Sequence, residues 1–171
     1  GTSVGSALYY IHQEQNTTRP AFKHQAYTGA QFTNEEIKTF LEGKAGIIAY
    51  HEKEDALIEA VAELLHHGKV IGWFQGRAEF GPRALGNRSI IVDPSRSDAK
   101  ELLNSKIKRR ESFRPFAPSI LKEAVKDYFE VVDDVPFMEK VYDIKSEKHE
   151  VIPAVTHVNG TGRLQTVEER S

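Results

Sequence analysis

Three arginines, Arg77, Arg83 and Arg88, stand among three glycines, Gly76, Gly81 and Gly86, that recur every five residues. Arginine presents a planar fork of donors that matches phosphate and carboxylate. Glycine lets a backbone take positive φ and approach a ligand closely. Together these residue types read as a loop that holds an anion. The spacing fits neither the dinucleotide fingerprint nor the P-loop, so neither mechanism is imported. A twisted hairpin connection with solvated arginines would use the same residues, and that reading stays open.

Other cations follow closely. Lys106, Lys108, Arg110 and Arg114 lie within one short stretch, and Arg114-Pro115-Phe116 is stiffened by its proline. Residues 77–114 hold ten Lys/Arg against five Asp/Glu, a net of +5 in a chain whose total is −2. A local basic block on a mildly acidic protein suits a discrete anionic ligand better than a long polyanion. His157 and Arg163 sit in a second polar, glycine-containing loop, Thr156 to Arg163. His157 has the chemistry of a general acid or base or a phosphate donor; a histidine beside a turn is equally a residue that is merely hydrogen-bonded.

The elements that must position these groups follow from periodicity. Val70 to Phe74 feeds the arginine loop and Ile90 to Val92 leaves it, giving strand, irregular loop, strand. Downstream, a helix of about Asp98 to Arg110 is expected, capped by Ser95 or Ser97, with Ala99, Leu102, Leu103 and Ile107 on its apolar face. At about 100° per residue Lys106 and Arg110 fall in that same stripe and Lys108 lies opposite. Either the helix ends near Ile107, or Lys106 and Arg110 point into a wet, anion-holding cavity; the latter is favoured because Arg114 follows closely. Snorkelling at the core rim is the bland alternative.

Upstream, Val4, Ala7, Leu8 and Ile11 have helical spacing, with Thr2 or Ser3 as cap, and residues 14–30 read as a linker arm. Thr33 to Glu36 has the capping-box form before a short helix that should bury Ile37, Phe40 and Leu41. Gly46 to Tyr50 is strand-like, and the clearest helix carries Ala56, Leu57, Ala60, Val61, Leu64 and Leu65 on one face, ending at Gly68. His66 and His67 end that helix; neighbours point apart, so a shared metal site is not expected. Ser119 to Leu121, Met138 to Ile144, Val151 to Val155 and Leu164 to Val167 read as strands, and Lys122 to Phe129 as a short helix.

The 171 residues contain no cysteine, which excludes disulfides and thiolate metal sites and suits a cytoplasmic enzyme. No apolar run approaches the roughly 20 residues of a membrane helix.

The run Gly76-Arg77-Ala78-Glu79-Phe80-Gly81-Pro82-Arg83-Ala84-Leu85-Gly86-Asn87-Arg88-Ser89-Ile90 resembles the signature of O-carbamoyltransferases of the nodulation-protein and antibiotic-tailoring type. The likeness extends through Leu103-Asn104, Lys106, Arg110-Glu111 and Phe113 to Ser119, and resumes from Pro153 to Arg163 and at Gln165-Thr166-Val167. The family usually has aspartate at the place of Asn159 and a small non-glycine residue at that of Gly162. The family also continues past Val167, so the chain is expected to be a fragment of a larger enzyme. It would divide into residues 1–30, the end of a preceding domain plus a linker arm; 31–68, a helical lead-in; and 69–171, an incomplete C-terminal domain.

The resemblance implies a mixed α/β fold, a YrdC/Sua5-like twisted open sheet around a basic cavity. It implies that carbamoyl phosphate and ATP, with Mg²⁺, give carbamoyl-adenylate there, for transfer to a hydroxyl acceptor by an N-terminal domain of the same polypeptide that carries its own metal. Arg77, Arg83, Arg88, Ser89 and Arg114 are the expected catalytic contacts, the first four to phosphate and carbamoyl groups. Lys106, Lys108, Arg110, His157 and Arg163 are the expected cofactor-binding residues. Glu79 is expected to orient an arginine, and no residue of this chain to bind a metal. A threonylcarbamoyl-adenylate synthase of the same fold is the first alternative, against which the 76–90 signature argues. An RNA-binding module, with Trp73, Phe80, Phe113 and Phe116 as stacking surfaces, is the second, and the net charge of −2 counts against it. The fragment is expected to hold carbamoyl phosphate but ATP only poorly.

Overall fold

The computed structural model describes residues 1–21, 25–44, 46 and 53–168. Helix α1 runs Thr2–Tyr9 and continues through a wider i→i+5 turn, Tyr10–Glu14. Its cap position is held by Gly1, without a side-chain bond, so neither Thr2 nor Ser3 caps it. Helix α2, Asn34–Leu41, opens on the expected capping box: Glu36 N–H donates to Thr33 Oγ1 at 3.1 Å and Thr33 N–H to Glu36 Oε2 at 2.7 Å. Helix α3, Glu54–His66, closes on Gly68 at φ 75°, where Gly68 N–H reaches Leu65 O and Lys69 N–H reaches Leu64 O. The anticipated burial of α2 is not found: Phe40 is 69 % exposed. Amphipathic spacing fixes which face a helix would bury, not whether a neighbour covers it. The strand read over residues 47–50 lies outside the described residues.

The chain mixes helices with small sheets. Strand β1, Ile71–Phe74, pairs antiparallel with β2, Arg88–Ile91, in the register Ile71 to Ile91 and Phe74 to Arg88. Strand β3, Ser119–Leu121, pairs parallel with β6, Gln165–Val167. Strand β4, Val141–Asp143, pairs antiparallel with β5, Thr161–Arg163. The described strands thus form three two-stranded sheets in place of one continuous sheet. Such pairs are marginal alone, and the last two are held by a shared core. Val125 opens helix α5, Val125–Tyr128, and Phe129 follows it. Both pack with Val135, Ile144, Ile152, Val155 and Leu164, and all seven are buried. Gly162 packs tightly against this core: a Cβ there would lie 2.8 Å from Ile144 Cδ1 and 3.3 Å from Phe129 Cε1, so the Ile144 side chain would have to shift to admit one.

One strand expectation fails for a local reason. Val151 to Val155 forms turns, with Ile152 N–H bonded to Lys148 O and Val155 N–H to Ile152 O. Pro153 cannot donate to a ladder, and the apolar residues beside it fill the core from turns instead. Conversely, Thr161–Arg163 is strand although it shows no apolar alternation.

Helix α4 covers only Ala99–Leu102 before it widens into an i→i+5 turn, Leu103–Lys108. Neither Ser95 nor Ser97 caps it; Asp98 takes that position, and Ser95 donates to Asp93 Oδ1 through both N–H and Oγ–H. Among the described residues no helix is long and apolar enough to cross a membrane.

Candidate functional site: a cation-lined cavity

The glycine-arginine loop is shaped by its own backbone. Gly76, Gly81 and Gly86 have φ of 49°, 104° and 108°, the left-handed region where a side chain is costly. Glu79 lies at the centre. Its Oε1 accepts from the N–H of Leu85 (2.8 Å), Asn87 (2.8 Å) and Arg88 (3.1 Å). Burial pushes the Glu79 carboxyl up, but the backbone donors outweigh it and leave its pKa below the usual glutamate value. Glu79 therefore organises the loop's main chain rather than an arginine. Leu85 is buried, and its carbonyl accepts from Gln165 Nε2 (3.0 Å) and Tyr27 Oη (2.9 Å), which ties the loop to β6 and to the N-terminal arm. That arm also pairs with the loop through Gly29 N–H to Ala78 O and Ala78 N–H to Ala30 O.

A second anchor is Asn104, 1 % exposed. Its Oδ1 accepts from Arg110 Nε at 2.7 Å, and its main-chain oxygen accepts from Arg110 N–H at 2.9 Å. Its Nδ2 donates to Ser112 O (3.3 Å) and Arg114 O (3.1 Å). The turn is completed by Arg109 at φ 48°, ψ 53°, a left-handed conformation that non-glycine residues seldom adopt. Arg110 then lies over the Phe116 ring, 4.5 Å from its centroid.

Between these anchors is a cavity of about 640 Å³. Arg83, Lys100, Lys108, Arg110 and Arg163 line it, and among the described residues Asp93 is the one lining carboxylate. Arg163 is the most unusual member. Its Nε is buried with no hydrogen-bond partner among the described residues. Burial, then the like charges of Arg83 and Arg110, lower its pKa from the usual arginine value. A buried unpaired guanidinium N–H is expensive in a folded protein. Among the described residues no three His, Cys, Asp or Glu side chains cluster as metal ligands.

The predicted site residues divide. Arg83, Ser89, Lys108, Arg110 and Arg163 meet at the cavity. Arg88 does not: its guanidinium donates to the carbonyls of Gln75, Gly76, Asn87 and Ala30 and stacks on Phe74 at 3.5 Å, so it braces the loop. Arg77 donates to Gly29 O, bracing the arm. Ser89 Oγ lines the cavity but accepts from Gly86 N–H. Arg114 lines a separate open groove of about 610 Å³ with Arg109 and Glu111, to which it is ion-paired at 2.8 Å. Lys106 is exposed and lines neither space. The wide turn accounts for the exchange: where bonds run i→i+5, a 100° wheel misplaces the residues beyond Leu103, and Lys108 replaces Lys106 at the cavity. Sequence reasoning missed Lys100, Asn104 and Gln165 as site residues. The signal for the last two was their polarity amid apolar neighbours, Leu102-Leu103-Asn104 and Leu164-Gln165.

Comparison with known proteins bears on the cavity's chemistry. The family model described as carbamoyltransferase C-terminus matches residues 62–171, which include every cavity residue named above. The chain belongs to the carbamoyltransferase C-terminus family. It is 50 % identical to nodulation protein NolNO of Sinorhizobium fredii over 98 % of this chain and 25 % of that protein. It is 40 % identical to nodulation protein NolO of Bradyrhizobium diazoefficiens over 100 % of this chain and 32 % of the relative. An uncharacterized protein of Synechocystis is 43 % identical over 98 % of this chain and 31 % of its own length. The chain thus spans between a quarter and a third of the length of these three relatives.

Within this carbamoyltransferase C-terminus, His157 lines neither space but feels the charges of two cavity residues, Arg163 and Lys100. Its Nδ1 is 2.9 Å from Thr161 Oγ1, and its Nε2 is buried without a partner among the described residues. Burial, then the charges of Arg163 and Lys100, push its pKa below the ordinary histidine value. A histidine held below its unfolded pKa favours the fold at high pH, and that contribution is lost as pH falls through the folded pKa. An anion beside Arg163 and Lys100 offsets the repulsion. An anion bound in the cavity, with inorganic phosphate as the probe, is therefore expected to raise the His157 pKa, read from its imidazole resonances across a pH titration. An unchanged titration curve at saturating phosphate would disconnect His157 from the cavity.

Proposed function

We propose that this chain forms carbamoyl-adenylate from carbamoyl phosphate and ATP in the cation-lined cavity, activating the carbamoyl group for transfer to a hydroxyl acceptor, and that its sheets belong to a YrdC/Sua5-like arrangement around that cavity. One observation carries the proposal: five cations, Arg83, Lys100, Lys108, Arg110 and Arg163, line one space, and the Arg163 Nε–H is buried with no partner among the described residues. The volume of about 640 Å³ suits a small-molecule site.

The residue types match the reaction's electrostatic problem. Water releases phosphate from carbamoyl phosphate and leaves carbamate. A carbamate oxygen then bonds to the α-phosphorus of ATP, the bond from that phosphorus to the pyrophosphate oxygen breaks, and pyrophosphate departs. Every reactant is anionic, so their approach is opposed by repulsion that Arg83, Lys100, Lys108, Arg110 and Arg163 offset. Mg²⁺ would come with the nucleotide as its counter-ion, since among the described residues Asp93 is the one lining carboxylate and it is engaged by Ser95. The apolar wall of Leu103, Phe116 and Val155 limits water around the labile carbamoyl group. Arg77 and Arg88 hold the loop. The acceptor and the final transfer are assigned to other parts of the longer carbamoyltransferases.

Exchange of labelled pyrophosphate into ATP tests this, measured on the longer carbamoyltransferase polypeptide because this stretch alone is expected to hold ATP poorly. Exchange should require carbamoyl phosphate. Arg83→Lys keeps the charge but loses the fork, and should lower exchange by about 1.5–3 kcal/mol, the scale of a charged hydrogen bond, with the melting temperature unchanged. Exchange supported instead by threonine and bicarbonate would move the chain to the threonylcarbamoyl-adenylate reaction, and no exchange at all would remove the adenylate step.

A further inference from the structure

Arg110 is shared by two spaces. It lines the cation-lined cavity and also the open groove that holds Arg109 and Arg114. A long, flexible side chain at such a junction could turn either way, and a site that uses its fork needs it fixed. We infer that Asn104 is the positioning residue that fixes Arg110 for anion binding, acting entirely through its buried amide and the left-handed turn at Arg109. The inference rests on the proposed function for its ligand, and on geometry alone for its mechanism.

Asn104 meets its hydrogen-bonding capacity with one stretch of chain. Its Oδ1 takes the Arg110 Nε–H, its main-chain oxygen takes the Arg110 N–H, and its two amide hydrogens go to Ser112 O and Arg114 O. Both ends of Arg110, backbone and side-chain stem, are therefore tied to one buried residue. With Nε engaged and the plane laid over Phe116, the remaining motion is small. One terminal nitrogen reaches Pro115 O at 3.4 Å, the long end of the hydrogen-bond range, and remains available to a ligand. Aspartate would fit in size but fails in two ways. It would place a carboxylate against the carbonyls of Ser112 and Arg114, and it would cancel the Arg110 charge that the cavity uses. Alanine would free Arg110 and leave those two carbonyls unpaired.

The test uses arginine Nε–H resonances and carbamoyl phosphate titrations on the same chain. In the unsubstituted protein the Arg110 Nε–H should exchange slowly with solvent. Asn104→Ala should abolish that protection and weaken carbamoyl phosphate about 10-fold or more. Asn104→Asp should keep the protection yet weaken binding similarly, because acceptor and charge are separated. In an Arg110→Met background Asn104→Ala should have no further effect on affinity. A rapidly exchanging Arg110 Nε–H in the unsubstituted chain would overturn the inference even if neither Asn104 variant folds. So would a loss of affinity of equal size in the Arg110→Met background, since Asn104 would then act through the fold at large. If the unsubstituted chain binds no carbamoyl phosphate, the proposed function fails while the Nε–H protection still decides whether Asn104 positions Arg110.

Discussion

Arg163→Met is expected to weaken carbamoyl phosphate binding by at least about 100-fold while raising the melting temperature. The two effects share one side chain. The Arg163 Nε–H is buried without a partner among the described residues, and the group's pKa is lowered by burial and by Arg83 and Arg110. An unsatisfied buried donor and like-charge repulsion both work against the fold. Methionine keeps the apolar stem and removes both penalties; a gain near 1 kcal/mol would shift the melting temperature by about 2–4 °C in a chain of this size. Arg163 also lines the cavity, where a charge-assisted bond from its guanidinium to a bound anion would be lost at a cost of about 3 kcal/mol. Calorimetric titration and thermal melting of the single variant give both numbers. A lowered melting temperature with unaltered binding would make Arg163 part of the scaffold of β5.

Glu79→Ala has the opposite signature and the largest expected effect on stability. Removing the carboxylate strands the N–H groups of Leu85, Asn87 and Arg88 at once. Bonds to a charged acceptor are worth more than neutral ones, but this one is partly solvated, so about 2–3 kcal/mol is expected in total rather than the full value for each bond. Melting should fall accordingly, and carbamoyl phosphate affinity should fall with it, because Arg83 rides on the loop that Glu79 shapes. Glu79→Gln retains an oxygen acceptor and should lie between the two. The pH dependence follows from the sign of the shift. With a folded pKa below its unfolded value, Glu79 stabilises the protein above the unfolded pKa, and the contribution is lost as pH falls through the folded one. The alanine variant should therefore lose part of the acid sensitivity of the parent. A stability loss in Glu79→Ala that persists undiminished at low pH would mean the carboxylate is not the stabilising group.

Much of this was legible from residue types and spacing. The five-residue glycine recurrence marks three positive-φ positions, and the capping box at Thr33 and the glycine end of α3 form as local chemistry dictates. What failed depended on non-local or non-standard geometry. Arg77 and Arg88 carry the same fork as Arg83, and nothing in their spacing says that carbonyls of the loop and arm would claim them. Lys106 and Lys108 exchanged roles because the helix widened at Leu103, and a wheel drawn at a fixed angle cannot register that change. Thr161–Arg163 became strand through pairing with Val141–Asp143, a partner some twenty residues away and without local signal. Asn104 and Gln165 were visible only as polar residues inside apolar runs, a pattern that marks a buried hydrogen-bond hub but not what it holds.

The most direct measurement is a carbamoyl phosphate titration followed at the Nε–H resonances of every arginine in the chain. Those of Arg83, Arg110 and Arg163 should shift together with a single dissociation constant, while those of Arg77, Arg88 and Arg114 stay in place. Movement of Arg77 and Arg88 with Arg83, Arg110 and Arg163 unperturbed would contradict the cation-lined cavity as the binding site.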